Sequence, residues 1–294
     1  MTATLVYRSY AKLNLTLEVI GRRQDGYHDL ASLVHSINLV DDLRIEPADE
    51  LLVRTEGVQL SPGPNLVAQA AELLIRRTGA RSGARLTLIK AIPEAAGLGG
   101  GSSDAATTLI GLNRFWSLGL GEADLRELGA ELGSDVPFFI RGGAAMMRGR
   151  GDQLEPVQPL AQQYFGLVVP RHTLSNKTAR LYAALGPGDY SSGEATRRAA
   201  TRLARGQPLH DEHLTNAFSG AARELFEDLS IVWDLAEAAC ARRFHLTGAG
   251  PTLFCLAADR GDAQQQAERL RGRGCTAYVC KAVGHARPAA IEYI

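Results

Sequence analysis

Residues 93–103 read Pro-Glu-Ala-Ala-Gly-Leu-Gly-Gly-Gly-Ser-Ser and run straight into a helical pattern. Gly97, Gly99, Gly100 and Gly101 free the backbone to curl around a ligand. Ser102 or Ser103 is placed to cap the helix that follows. Unpaired N–H groups at a helix start, backed by the helix dipole, favour phosphate. No Gly-Lys-Ser/Thr follows, so this is not a Walker A loop, and the spacing is not that of a Rossmann turn. A flexible linker is the plain alternative. Because the segment joins a strand to an amphipathic helix, phosphate binding is the better reading.

Four further clusters could carry chemistry. Lys12 and Asn14 project from one face of an alternating strand. By itself such a lysine reads as a solvated charge. Asp135, in Gly-Ser-Asp-Val-Pro, either caps a short helix with Pro137 in its first turn or accepts a proton from a substrate hydroxyl. A nearby lysine would keep it ionised and offset charge on a transferring phosphoryl group. Tyr27 and His28 follow an Asp-Gly turn. They suit either a packed surface hairpin or a base, which an aromatic ring can stack on for about 1–3 kcal/mol. Thr247-Gly-Ala-Gly-Pro251 is a tight turn that either reverses the chain or presses its backbone against a ligand.

The elements that must hold these residues follow from periodicity. Residues 3–20 alternate, with Leu13, Leu15, Leu17 and Val19 on one face and Lys12, Asn14, Thr16 and Glu18 on the other. Strands are expected at 30–43, 51–58, 86–89 and 142–147. Helices are expected after Asn65, after the glycine loop, and ahead of Gly133. Beyond a crossing segment at 156–164 come a strand at 165–169 and a polar, weakly patterned region at 189–211. Helices are expected at 220–229 and 231–243, then strand, turn, strand, helix and strand to residue 281. This order indicates α+β architecture with mainly antiparallel sheet.

With 294 residues, 45% hydrophobic and 22% charged, the chain suits two moderate globular domains. Lys+Arg and Asp+Glu both number 32, which argues against bulk-charge binding of nucleic acid. No apolar run reaches the roughly 18 residues of a membrane span, and no secretory leader is visible. Cys240, Cys255, Cys275 and Cys280 form no CxxC pair and read as free thiols in a reducing cytoplasm.

Taken together, the motifs resemble the GHMP kinase superfamily from about Ala11 to Phe254: a Lys-x-Asn strand, the glycine loop and a C-terminal Gly-x-Gly turn. Ala-Lys-Leu-Asn-Leu from residue 11, Asp-Gly-Tyr-His from 25, Gly-Ser-Asp-Val-Pro-Phe-Phe from 133, Gly-Gly-Ala-Ala from 142 and Arg-Gly-Arg-Gly from 148 are similar to its branch that acts on cytidyl methylerythritol. The resemblance implies an α+β, two-lobed fold: an N-terminal lobe over 1–160 and a ferredoxin-like C-terminal lobe over 161–294. It implies small-molecule substrates, with ATP as phosphoryl donor and Mg2+ as cofactor, its ligands unassigned. The protein would be a cytoplasmic monomer or weak homodimer without nucleic-acid or membrane partners. It makes Lys12 and Asp135 the catalytic pair. Asn14, Tyr27, His28 and Tyr182 would bind the acceptor. ATP would be bound by Asn65, Pro93, Glu94, Ala95, Ala96, Gly97, Leu98, Gly99, Gly100, Gly101, Ser102 and Ser103. Asp104 departs from the branch's common Asn and is expected to weaken ATP binding unless it faces away or helps to hold magnesium. Glu94, Ala95 and Ala96 vary the loop's first turn, and Ala249 with Pro251 varies the C-terminal turn.

Overall fold

A computed structural model describes residues 4–57, 65–80, 83–171, 174–289 and 291–293. Two long strands come first, β1 (Thr4–Arg22) and β2 (His28–Glu46), joined by the Asp25-Gly26 turn. Then come β3 (Leu51–Gly57), α1 (Leu66–Thr78), β4 (Ala84–Lys90), α2 (Gly100–Phe115), α3 (Glu122–Leu132) and α4 (Val136–Arg141). β5 (Ala144–Gly149) and β6 (Gln153–Pro156) complete this half. The first sheet has the order β3-β4-β2-β1, and β5 pairs with β2.

The second half opens with β7 (Tyr164–Val169), α5 (Lys177–Ala184), α6 (Glu194–Ala204), β8 (Thr215–Asn216), α7 (Ser219–Leu225) and α8 (Leu229–Cys240). It closes with β9 (His245–Leu246), β10 (Leu253–Ala257), α9 (Arg260–Arg271), β11 (Thr276–Lys281) and β12 (Ile291–Tyr293). Its sheet runs β11-β7-β10-β9, all antiparallel. Numbering these four strands in chain order gives 4-1-3-2 with helices in the two crossovers, the ferredoxin-like arrangement. Two short strands return to the first sheet: β8 pairs parallel with β1, and β12 pairs antiparallel with its start.

Three buried clusters stabilise this arrangement. One lies between the first sheet and α1–α4 and includes Tyr7, Leu43, Leu86, Leu109 and Phe138. A second fills the seam between the sheets with Leu13, Leu15, Leu98, Phe165 and Phe254. A third lies within the C-terminal half around Phe218, Trp233, Phe244 and Leu253. Among the described residues no helix is long and apolar enough to cross a membrane.

The alternation along β1 is real, but its polar face is not solvated. Lys12, Asn14, Thr16 and Glu18 are all buried. The helix expected from 220 begins at Ser219 but breaks after Leu225, and α8 starts afresh at Leu229. The polar 189–211 region holds α6, whose Thr196 N–H and hydroxyl bond Glu18 and Thr16 at 2.7 and 2.8 Å. That packing covers the Thr16 and Glu18 end of β1's polar face.

Candidate active site

The glycine loop leaves β4 and enters α2 through Gly99, which adopts left-handed φ +73. The capping expected from Ser102 or Ser103 is not found. Both lie inside the first turn, and Gly99 occupies the cap with no side-chain bond. Gly97, at φ +84, is pressed against the 247–251 turn, where an added Cβ would stand 2.6 Å from the Thr247 carbonyl. Only glycine fits at that crossing. The two glycine turns therefore form one structure. The Lys12 N–H also bonds the Leu98 carbonyl at 2.9 Å, tying the loop to β1.

At the junction stands Lys12. Its ammonium donates to Asn14 Oδ1 and lies 3.7 Å from Asp135 Oδ2. Asn14 is fixed in turn: its side-chain amide donates to Ser32 Oγ at 2.7 Å, and its N–H donates to Thr247 Oγ1 at 2.8 Å. Burial lowers the Lys12 ammonium from its usual range, and the Asp135 charge opposes that shift. Asp135 occupies the cap position of α4 but makes no capping bond there. Its carboxylate turns to Lys12 instead, so the plain helix-cap alternative fails.

Two cavities meet at this pair, sharing Lys12, Asp135, Thr178 and Ala249 in their walls. The first, about 470 Å³, is walled by residues 93–102 together with Asn65, Lys90, Asp104 and Lys177. Ser103 is not in that wall; it is buried in α2. Asn65 caps α1, accepting from Val67 N–H at 3.0 Å and Ala68 N–H at 3.4 Å.

The second cavity, about 880 Å³, contains Asn14, Tyr27, His28 and Tyr182 in its wall. Tyr27 is 57% exposed and carries the Arg150 guanidinium 4.9 Å above its ring. His28 and Tyr182 stack on each other at 4.7 Å and 17°. The two rings touch, so in this arrangement a base would stack on the outside of the pair and not between them. Tyr190 approaches His28 edge-on at 6.1 Å, and Phe218 supports Tyr182 at 4.9 Å. Burial and Arg22 lower His28 from its usual range, leaving a neutral imidazole with one donor and one acceptor at neutral pH.

Asp104, although in the wall of the first cavity, is committed to a buried lysine. It pairs with Lys90 Nζ at 2.8 Å, and Lys90 also meets Asp41 at 2.5 Å, all three side chains being nearly fully buried. Asp41 further accepts the Ala91 and Ile92 N–H groups at 2.5 and 2.8 Å. Burial pushes the Asp104 carboxyl up to about 7, against the pull of Lys90. Sequence reasoning missed Lys90, Arg150, Lys177 and Tyr190. Of these Arg150 lay in the Arg-Gly-Arg-Gly motif and Lys177 in the 174–182 stretch that carries Tyr182, but a lysine or arginine there signals nothing by itself.

Comparisons with known proteins identify the family and the fold. The GHMP kinases N terminal domain matches residues 65–143, and the GHMP kinases C terminal domain matches 194–274. A Dehalococcoides mccartyi protein named 4-diphosphocytidyl-2-C-methyl-D-erythritol kinase is 41% identical over 276 residues, covering 93% of this chain and 96% of that protein. A Moorella thermoacetica protein of the same name is 40% identical, covering 91% and 95%. A crystal structure of 4-(cytidine 5'-diphospho)-2C-methyl-D-erythritol kinase superposes with a TM-score of 0.82 at 34% identity, covering 95% of this chain and 99% of that one. Homoserine kinase from Cytophaga hutchinsonii, at 15% identity and TM-score 0.71, shares the fold. The chain is a small-molecule kinase and belongs to the 4-diphosphocytidyl-2-C-methyl-D-erythritol kinase family of the GHMP kinases.

Proposed function

We propose that the protein transfers the γ-phosphoryl group of ATP to the 2-hydroxyl of 4-diphosphocytidyl-2-C-methyl-D-erythritol, in non-mevalonate isoprenoid precursor biosynthesis. The observation that carries this reading is the Lys12–Asp135 pair at the junction of two cavities, one walled by the glycine loop and one by Tyr27 and His28. ATP takes the first cavity, its phosphates against the N–H groups of residues 97–101. The acceptor takes the second, its cytosine against Tyr27 and His28 and its polyol near Asn14. We take 1–160 and 161–294 as the working lobes, with β8 and β12 crossing back.

In this reading the acceptor oxygen attacks the γ-phosphorus, the bond to the β-phosphate oxygen breaks, and ADP leaves. Asp135 takes the hydroxyl proton, or holds the hydroxyl in line as it is lost. Lys12 orients Asp135 and offsets charge on the transferring group. Asn14 holds Lys12. Among the described residues no three acidic, imidazole or thiol side chains gather as a metal cage. Mg2+, when bound, would arrive with the nucleotide and offset charge on its phosphates.

A coupled ADP-release assay with MgATP tests this. Turnover of the cytidyl compound, but not of homoserine, mevalonate or methylerythritol phosphate, is expected. Turnover of another alcohol alone would discard the acceptor assignment.

A further inference from the structure

One side chain from the second half of the chain closes the seam between the two glycine turns. Lys177 opens α5, and its Nζ donates to the Ala95 carbonyl at 2.5 Å and to the Gly250 carbonyl. Ala95 belongs to the glycine loop and holds a left-handed φ of +50, uncommon for a residue with a Cβ. Gly250 closes the 247–251 turn. The loop's shape is therefore set by contacts from the other half of the chain: Lys177 on Ala95, and the Thr247 and Gly250 backbone on Gly97.

An ammonium has three N–H groups, and the two carbonyls use two. Carbonyls satisfy N–H groups without neutralising the charge. The cavity that Lys177 lines also holds Lys12, Lys90, Glu94, Asp104 and Asp135. Lys90 is committed to Asp41 and Asp104, and Asp135 faces Lys12. What perturbs Lys177 is burial, followed by repulsion from Lys12, and together they bring its ammonium down to about 8. An anion entering the cavity relieves both penalties.

We propose that Lys177 is a positioning residue of the phosphate loop, clasping Ala95 to Gly250 and turning its remaining N–H on the nucleotide's phosphates. This rests on the reading that ATP occupies the glycine-loop cavity. The sign of its pH dependence follows. Only the ammonium form offers charge to the phosphates, so kcat/KM for ATP falls as pH rises through about 8. Bound phosphate favours the ammonium, so the corresponding limb in kcat lies at higher pH.

The test compares the parent with Lys177→Met and Lys177→Arg. Amide hydrogen exchange of residues 94–99 and 248–250 is followed without nucleotide, ATP binding by calorimetry, and kinetics across neutral to alkaline pH. Lys177→Met is expected to speed exchange in both segments and to raise KM for ATP about tenfold. It should leave KM for the cytidyl acceptor within about twofold and remove the limb near 8. Lys177→Arg keeps charge and donors and should recover most of the ATP KM, without that limb. Unchanged exchange, or an ATP KM within about twofold of the parent in Lys177→Met, overturns the proposal. Should the parent bind ATP but leave the cytidyl acceptor untouched, the acceptor assignment fails alone. Exchange and ATP binding then decide Lys177 by the same criteria. A parent that binds no ATP overturns both.

Discussion

Lys12 and Asp135 stand 3.7 Å apart in unequal surroundings: the lysine side chain is 6% exposed and the carboxylate 38%. The cation is fixed in the wall while the carboxylate faces the space where a substrate would sit. Burial lowers Lys12 and Asp135 raises it, so the lysine keeps its proton with the help of the carboxylate.

Asp135→Asn should lower kcat at least about 100-fold while ATP still binds. Without the carboxylate, burial of Lys12 is unopposed and its ammonium is lost at lower pH. The alkaline limb of the residual activity should therefore move down in pH. A pH series of kcat alongside ATP calorimetry checks both. A variant as fast as the parent removes Asp135 from the mechanism.

The aromatic wall of the larger cavity predicts a split between substrates. Tyr27→Ala and His28→Ala should raise KM for the cytidyl acceptor by about 5- to 150-fold, the equivalent of one lost stacking contact, with little change in KM for ATP. Tyr182→Ala should act in the same direction, because His28 rests on its ring. Equal effects on both substrates would contradict the cytosine assignment.

Asp104 gives a stability prediction with a definite sign. Its carboxyl is raised to about 7 in the fold, above the ordinary carboxylate range. Between about 4 and 7 the folded state thus binds more protons than the unfolded state, and stability falls as pH rises through that window. Asp104→Asn removes the titrating group while an amide oxygen can still accept from Lys90. Thermal melts at pH 5 and pH 8 should show a smaller gap in Tm for the variant. At pH 8 its Tm should stand about 2–4 °C above the parent, the response to roughly 1 kcal/mol. A variant melting well below the parent at pH 8 would show that the charged carboxylate stabilises the fold through Lys90.

The glycine loop and both cavity-lining motifs were legible because each is a local pattern: glycines at fixed spacing, an Asp-Gly turn, an alternating strand. The burial of Lys12 was not. Alternation reports two faces but not what covers the second, and here α6 and the 247–251 turn, about 180 and 230 residues downstream, close over it. Lys177 and Lys90 escaped for a related reason, since a lone lysine gains meaning only from carbonyls or carboxylates brought to it by the fold. Asp104 was flagged as an intruding charge; the lysine it pairs with, Lys90, is shared with Asp41, which lies 63 residues before Asp104, beyond any local reading. The strands β8 and β12, at two and three residues, are too short to leave a pattern.

Strand β1 passes through all three buried clusters: Leu5 and Tyr7 in the first, Leu13 and Leu15 in the second, Leu17 and Val19 in the third. A single extended segment thus belongs to all three cores among the described residues. Melting either half exposes apolar side chains of the strand that the other half needs intact. The two halves are therefore not independent cooperative units, despite their separate sheets. Heating should give one calorimetric transition, with calorimetric and van't Hoff enthalpies in agreement. Lys12 and Asn14 are then anchored on the element least able to open on its own.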